Sequence, residues 1–165
     1  MKLLVYPDPF LRREAKAVSR FGPELAELAR GMFEIMRLEK GCGLAANQVG
    51  ADKRVIVINM TGEEKDQLVL INPEITRRKG KQYEEEGCLS VPGIRLKVRR
   101  AAFVHVRAYD LEGNPFELDA EQFKSIALQH EIDHLNGILF IDKIGPATRI
   151  GIKQRLRELE RINAD

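Results

Sequence analysis

The sequence has little cysteine and almost no net charge. Its 165 residues include two Cys, and 27 Lys and Arg stand against 25 Asp and Glu, which gives a formal charge of +2. Two cysteines are too few for a secreted disulfide scaffold, so we expect reduced thiols and a cytoplasmic location. A charge this close to zero argues against a dedicated DNA-binding protein, which normally carries a clustered basic excess.

Long hydrophobic runs are also missing. Apolar runs such as residues 55–58 and 138–141 fall far below the roughly 20 residues of a spanning helix. The apolar stretch after Lys2 is too short for the core of a signal peptide. We find no internal repeat and no low-complexity segment. We therefore expect one domain over residues 1–165, of a length that buries roughly 70% of the surface of its unfolded chain, and no membrane partner.

What the sequence does contain is a mixture of helical and strand periodicities. Apolar residues recur at intervals of three and four over 25–38 and 121–136, which predicts two helices. Val-rich and Ile-rich segments at 54–60, 67–72 and 103–109 predict strands, the last in a hairpin with 116–118. A strand-like tail follows the second helix, and a charged C-terminal helix lies within 147–165. This order predicts an α+β fold of mostly antiparallel sheets.

The most informative segment is residues 130–134, which read His-Glu-Ile-Asp-His. His130 and His134 are four residues apart, so on a helix both imidazoles point the same way and can bind one metal. Glu131 between them can then act on a metal-bound water. The alternative is a pair of surface histidines with a solvated glutamate. We favour the metal because the segment lies on a predicted helix in a chain with three His.

A third ligand decides the class of such a site. The metzincin spacing would place a His at position 140, where this chain has Phe. A gluzincin site would take a later glutamate, but Glu158 and Glu160 lie in a highly charged helix where solvation explains them. Cys88 would complete a three-ligand site with a free fourth position, as in catalytic metal centres. Cys88 could instead be a small buried residue or a nucleophile with a histidine base.

The segment 41–48 reads Gly-Cys-Gly-Leu-Ala-Ala-Asn-Gln. It loosely fits the dinucleotide fingerprint G-x-G-x-x-A, but that fingerprint follows a strand, and here a predicted helix precedes it. A glycine-rich turn that ends in a side-chain amide can hold a polar substrate group with its backbone edge and with Gln48. A tight turn packed with small residues is the alternative.

Three motifs occur in order along the chain: Gly-Leu-Ala-Ala-Asn-Gln at 43–48, Glu-Gly-Cys-Leu-Ser at 86–90 and Gln-His-Glu-Ile-Asp-His at 129–134. Together they resemble the peptide deformylase family, whose pattern is GxGLAAxQ, EGCLS and QHExDH, in its compact bacterial-type form. The resemblance covers the chain from its proline-rich start to at least Asp142. It implies a hydrolase that removes the formyl group from the N-terminal formyl-methionine of nascent polypeptides and releases formate. It also implies that the sheets pack around the helix that carries HExxH.

The resemblance makes Cys88, His130 and His134 the ligands of one divalent metal. Fe(II) would be the physiological ion, with Zn, Ni or Co as possible substitutes. The ligand types alone, one thiolate and two imidazoles, favour Zn. Glu131 would be the general acid/base in an attack by metal-bound water or hydroxide.

The resemblance also assigns the contacts to the substrate. The side chain of Gln48 and the backbone N–H of Leu89 would hold the formyl oxygen. Substrate-binding positions would be Gly41, Cys42, Gly43, Glu86, Gly87, Arg95, Phe123, Ile126 and Ala127. Among these, Gly43 would pair with the substrate backbone, and the last three would form an apolar pocket for Met. Cys42 could equally be a core residue.

Some features carry weaker signals. His105 alternates with its neighbours on a predicted strand, so we interpret it as a sheet residue and not as a ligand. The basic runs 77–79 and 97–100 read as solvated faces of strands or loops. The basic C-terminal helix suggests a transient contact with ribosomal RNA, although a solvated helix that covers the sheet explains it equally well.

Two other functions fit the HExxH segment. One is a zinc endopeptidase, which would cut internal peptide bonds. The other is a structural metal-binding module, which would need a fourth protein ligand that we do not find in the sequence.

Overall fold

The computed structural model describes residues 1–164. Its strands are β1 (Gly43–Ala45), β2 (Val55–Ile58), β3 (Leu68–Lys79), β4 (Gln82–Cys88), β5 (Val91–Arg100), β6 (Phe103–Tyr109) and β7 (Pro115–Glu121). An antiparallel sheet has the order β1-β2-β3-β6-β7, and β4 pairs with β5 in a separate hairpin. The predicted α+β class with mostly antiparallel sheets is confirmed.

The helices are α1 (Pro23–Leu38), α2 (Gln122–Leu135) and α3 (Pro146–Ile162). Proline in the first turn starts α1 and α3, where its missing N–H costs no hydrogen bond. Gly137 follows α2 with φ of 70°, a conformation that glycine adopts without strain, so the predicted helix end is confirmed. No helix within residues 1–164 is long and apolar enough to cross a membrane.

The central sheet is covered on both faces. Val55 and Val57 of β2 pack in one cluster with the apolar side of α1, whereas Ile56 and Ile58 pack in another with α2. Alternate residues of a strand point to opposite faces, so a strand that is apolar throughout is buried on both sides. Because α2 lies between this sheet and the hairpin, most of its residues are buried. The helix that carries residues 130–134 is therefore packed on most of its sides.

The β4–β5 hairpin has its own core. Val91, Ile94, Leu96 and Val98 pack with Leu156 and Leu159 of α3. Neither strand of this hairpin was predicted, and the strand-like tail predicted after α2 is wrong. The chain after Gly137 instead leads into a 3₁₀ turn, Phe140–Asp142, whose Phe140 and Ile141 are buried in the same cluster.

Candidate metal centre and active site

Cys88, at the end of β4, meets two histidines of α2. The Sγ of Cys88 lies 3.3 Å from Nε2 of His134, which lies 3.3 Å from Nε2 of His130. The three donor atoms all lie within 4.8 Å of one another. Two imidazole nitrogens at about 2.0–2.1 Å from a tetrahedral ion would be about 3.3–3.4 Å apart. The donor types and their separation therefore fit one shared metal ion.

A chain of buried charges orients the first of these histidines. Glu86 Oε1 lies 2.9 Å from Nδ1 of His130, on the far side of the ring from the proposed metal. The guanidinium of Arg100 donates to both carboxylate oxygens of Glu86 at 2.9 Å, and it also donates to Asp133 at 2.6 Å. Burial raises the pKa of Glu86, but the bonds from His130 and Arg100 hold it below its usual value. An ionised Glu86 fixes the ring so that Nε2 faces the metal position.

The carboxyl group of Glu131 has no such partner. Its Oε2 is buried and makes no hydrogen bond within the described residues. Burial is the main cause that raises the pKa of Glu131 to about 7, and the positive charge of Arg100 acts in the opposite direction. A carboxyl group of this kind can exchange a proton near neutral pH.

Gln48 reaches the same place from the 3₁₀ turn Ala46–Val49. Its Oε1 accepts from the backbone N–H of Ala45 at 2.9 Å, and its Nε2 donates to Ser90 Oγ at 3.0 Å. The same Nε2 lies 3.8 Å from Cys88 Sγ. Because an amide nitrogen has two N–H groups, one of them can bond to Ser90 while the other faces the sulfur of Cys88.

These residues line one cavity of about 540 Å³. Every substrate-binding residue expected from the sequence contributes to its wall, as do Gln48, Leu89, Cys88, His130 and Glu131. His134 is fully buried and is not part of the wall. The cavity thus collects residues from β1, the β4–β5 hairpin and α2.

Some positions in the cavity differ from the sequence-based expectation. Cys42 is exposed at the cavity, so its interpretation as a core residue is wrong. Glu86 lines the cavity as expected, but its carboxylate is buried against His130 and Arg100. Arg95 lies at the rim, where its guanidinium pairs with Glu85 at 2.7 Å. Met60 also lines the cavity and was not predicted.

Two buried polar residues around the centre were missed. Arg100 was interpreted as part of a solvated run, but only 5% of it is exposed. Its position in β5, where alternate residues are buried, is the signal that could have identified it. Asn47 is also buried, and its side-chain amide donates to the backbone oxygen of His134. It occupies a variable position of the GxGLAAxQ pattern, so the motif gave no reason to single it out.

The strand β1 is the edge of its sheet next to the cavity. Its partner on one side is β2, and Gly43 lines the cavity. A side chain at position 43 would collide with Glu131, because a Cβ built there lies 2.8 Å from Oε1 of Glu131. An edge strand with an open backbone can accept an extended peptide as an additional strand.

His105 lies outside this site. It is on β6, with Nδ1 2.5 Å from Asp119 Oδ1 and Nε2 3.5 Å from Glu117 Oε1 on the neighbouring β7. It is therefore a sheet residue, as the alternation of its strand predicted.

Comparisons with known proteins identify the family of this chain. The family model for polypeptide deformylase matches residues 1–150. A peptide deformylase of Acidobacterium capsulatum is 50% identical over 161 residues, which is 96% of this chain and 95% of the relative.

Solved structures match over almost the whole chain. A peptide deformylase from Legionella pneumophila is 44% identical with a TM-score of 0.92, and the match covers 99% of this chain and 96% of that one. One from Plasmodium falciparum is 41% identical with a TM-score of 0.94, covering 97% and 95%.

Proposed function

The chain belongs to the polypeptide deformylase family, and from this premise we infer which of its residues carry out the reaction. It removes the N-formyl group from nascent polypeptides in a metal-dependent hydrolysis. We propose that Cys88, His130 and His134 hold the metal. The observation that carries this proposal is the convergence of one thiol and two imidazole nitrogens within 4.8 Å.

The physiological metal in this proposal is Fe(II), with Zn, Ni or Co able to occupy the same donors. When bound, a divalent ion supplies Lewis-acid polarisation and lowers the pKa of water towards about 7. Glu86 and Arg100 fix the ring of His130, which limits the ligand's freedom to turn away. Asn47 holds the last turn of α2 through the carbonyl of His134.

Glu131 is the proposed proton carrier. Its carboxylate accepts a proton from the attacking water and then donates that proton to the nitrogen of the leaving amine. The proton that Glu131 takes from water therefore leaves with the amine, and the products are formate and a free amino terminus. The raised pKa of Glu131, about 7, supports both steps, since the group can be found in either form near neutral pH.

Two donors are proposed to stabilise the negative charge on the formyl oxygen. They are the Nε2 of Gln48, which lies 3.8 Å from Cys88 Sγ, and the backbone N–H of Leu89, the residue that follows Cys88. Loss of one such donor typically lowers kcat by about 10²–10³. The fixed position of Gln48 between Ala45 and Ser90 supports this role, because a held donor needs no reorganisation during the reaction.

The substrate is proposed to lie along the edge of β1 and to pair with Gly43. An apolar wall of Phe123, Ile126 and Ala127 would take the unbranched methionine side chain. At the rim, Arg95 and Glu85 would flank the following residue. In this arrangement the small formyl group lies at the proposed metal centre, so we expect internal peptide bonds to stay intact.

We also propose that residues 1–165 act as one catalytic domain and that α3 contacts the ribosome transiently. The helix exposes Lys153, Arg157 and Arg161 while Leu156 and Leu159 are buried. Cosedimentation with ribosomes tests this contact. It should fall when these three cations are replaced by Gln and when salt is raised. Cosedimentation that is insensitive to both would refute the contact.

The proposed reaction is tested with formyl-Met-Ala peptides. The protein should release formate from them and should leave internal peptide bonds intact. Cleavage of internal bonds without formate release would instead identify a zinc endopeptidase, and neither activity would identify a structural metal module.

The proposed role of Glu131 is tested with Glu131→Gln. This change should keep the bound metal and should lower the rate of formate release by about 10²–10⁴, because proton transfer is lost while the ligands remain. Glu27→Gln, on the exposed side of α1, is the matched control and should keep the wild-type rate. A Glu131→Gln enzyme with the wild-type rate would overturn the assignment.

A further inference from the structure

A second cleft, of about 330 Å³, borders a different side of α2 from the metal ligands. The helix contributes Gln129, Ile132 and Asp133, and its C-cap residue Asn136 follows at the same spacing of three and four, so the four lie along one face. The remaining walls come from the ends of β3 and β5, the turn between β3 and β4, and Lys143. None of the α3 residues lines it.

This cleft concentrates positive charge. The cationic residues that line it are Arg78, Lys79, Lys81, Arg99, Arg100 and Lys143. The lining residues include one acidic residue, Asp133. Asp133 is already engaged, since Arg100 lies 2.6 Å and Lys143 3.7 Å from its Oδ2.

Four of these cations are exposed and form no ion pair within residues 1–164: Arg78, Lys79, Lys81 and Arg99. The chain as a whole carries a formal charge of only +2, so this is a strong local excess. The fold brings the four together from β3, the Gly80 turn and β5, and like charges held this way repel each other. A bound polyanion would remove that repulsion.

We propose that this cleft binds the phosphodiester backbone of RNA. Guanidinium groups such as those of Arg78 and Arg99 can each take two oxygens of one phosphate, and lysines add point charges. The lining contains no aromatic side chain on which a base could stack, so the cleft is suited to the backbone and not to base recognition. Binding should therefore be independent of the RNA sequence, and it should weaken strongly as the salt concentration rises.

The choice of RNA over other polyanions rests on the proposed function. Nascent polypeptides emerge from the ribosome, a particle whose surface is rich in RNA, so an enzyme that acts on them works next to phosphate backbones. The cleft would add a contact separate from the one proposed for α3. It lies outside the catalytic cavity, so its occupation leaves the metal site open.

Fluorescence anisotropy with a short labelled RNA duplex tests the proposal on the full chain. The cleft variant replaces Arg78, Lys79, Lys81 and Arg99 by Gln. The control variant replaces Arg20, Arg30, Arg37 and Lys53, which are also exposed and unpaired within the described residues, and so removes the same charge.

We expect the cleft variant to bind RNA at least about tenfold more weakly at low salt. The slope of log affinity against log salt should become shallower by about 1 for each phosphate that the variant no longer neutralises. The control variant should keep the wild-type affinity for RNA and the wild-type slope. If the full cleft variant does not fold, Lys81→Gln with Arg99→Gln gives the same test with a smaller change in slope.

Three results would overturn the proposal. Equal weakening in the cleft and control variants would show that binding is diffuse. Equal binding of polyglutamate would show that the cleft takes acidic peptides, and displacement of RNA by inorganic phosphate at matched phosphate concentration would show a small-anion site. Formate release from a short peptide is measured alongside. Its absence in the wild type would refute the proposed function whatever the RNA result, so the two failures are distinguishable.

Discussion

At the scale of residues, the ligands and their supports differ in how visible they are in the sequence. The two histidines and Glu131 share one helical pentapeptide, and the spacing alone indicates a metal site. Arg100 lies 30 positions earlier, inside a basic run that looks solvated. The guanidinium of Arg100 lies between Glu86 and Asp133 because residues of β5 alternate between its two faces and because β5 pairs with β4 in this register. Contacts of this kind depend on register, which a single sequence does not specify.

The buried charge pair of Arg100 leads to a stability prediction. Arg100→Leu leaves Glu86 and Asp133 without their counter-ion, and we expect it to lower the free energy of unfolding by about 3–5 kcal/mol. The neighbouring Arg99→Leu, at an exposed position without an ion pair, should change it by about 0.5 kcal/mol or less. Urea unfolding measures both. Equal effects of the two changes would show that the buried pairs do not stabilise the fold.

The close approach of β1 to the proposed proton carrier leads to another prediction. Gly43→Ala would place a methyl group 2.8 Å from Oε1 and 2.9 Å from Cγ of Glu131. We expect the carboxyl group to be displaced and formate release to fall by about 10²-fold, the loss that a misplacement of about 1 Å can cause. The metal content should stay unchanged. Gly22→Ala, where a Cβ meets nothing within 4 Å, is the control and should keep the wild-type rate.

At the scale of elements, periodicity identified the helices well and part of the sheet poorly. The helices α1 and α3 each have an apolar side, and α2 was found from its spacing although it is buried almost all around. The strands β4 and β5 carry charged residues on their exposed side, which hides their alternation. Residues 138–141 are apolar like a strand, but they have no sheet to join and pack as a turn against the hairpin and α3.

The turn after α2 is tied to the N-terminal segment by a salt bridge whose contribution should depend on pH. Asp142 accepts from Arg12 and from the backbone N–H of Leu139. Burial raises the pKa of Asp142, but Arg12 and the N–H of Leu139 hold it below its usual value. Because the pKa of Asp142 is lower in the folded state, the salt bridge stabilises the fold fully above the unfolded pKa of about 3.9. This stabilisation is lost as the pH falls through the pKa of Asp142 in the folded state.

Asp142→Asn therefore should reduce the free energy of unfolding by about 1 kcal/mol at neutral pH, since the pair is partly exposed. The difference from the wild type should shrink as the pH falls below about 4, because the wild-type carboxyl group is then neutral as well. Urea unfolding across this pH range is the measurement. A difference that stays constant with pH would contradict the assigned ion pair.

At the scale of the whole molecule, the sequence specified the chemistry more completely than the architecture. The three motifs lie far apart in the chain, at 43–48, 86–90 and 129–134, and the fold brings them to one cavity from an edge strand, a hairpin and a helix. Their residue types indicated a metal site, and their resemblance to the peptide deformylase family implied the hydrolase. The hairpin core and the basic cleft were not predictable, because both arise from contacts between elements that no local pattern records.

The most direct test of the account is the metal content of the anaerobically purified protein and of its two cysteine variants. If Cys88 is a ligand, the wild type and Cys42→Ala should each carry one divalent ion per chain, whereas Cys88→Ala should lose most of its metal and, with it, formate release. Full metal occupancy in Cys88→Ala, or an equal loss in Cys42→Ala, would contradict the proposed centre.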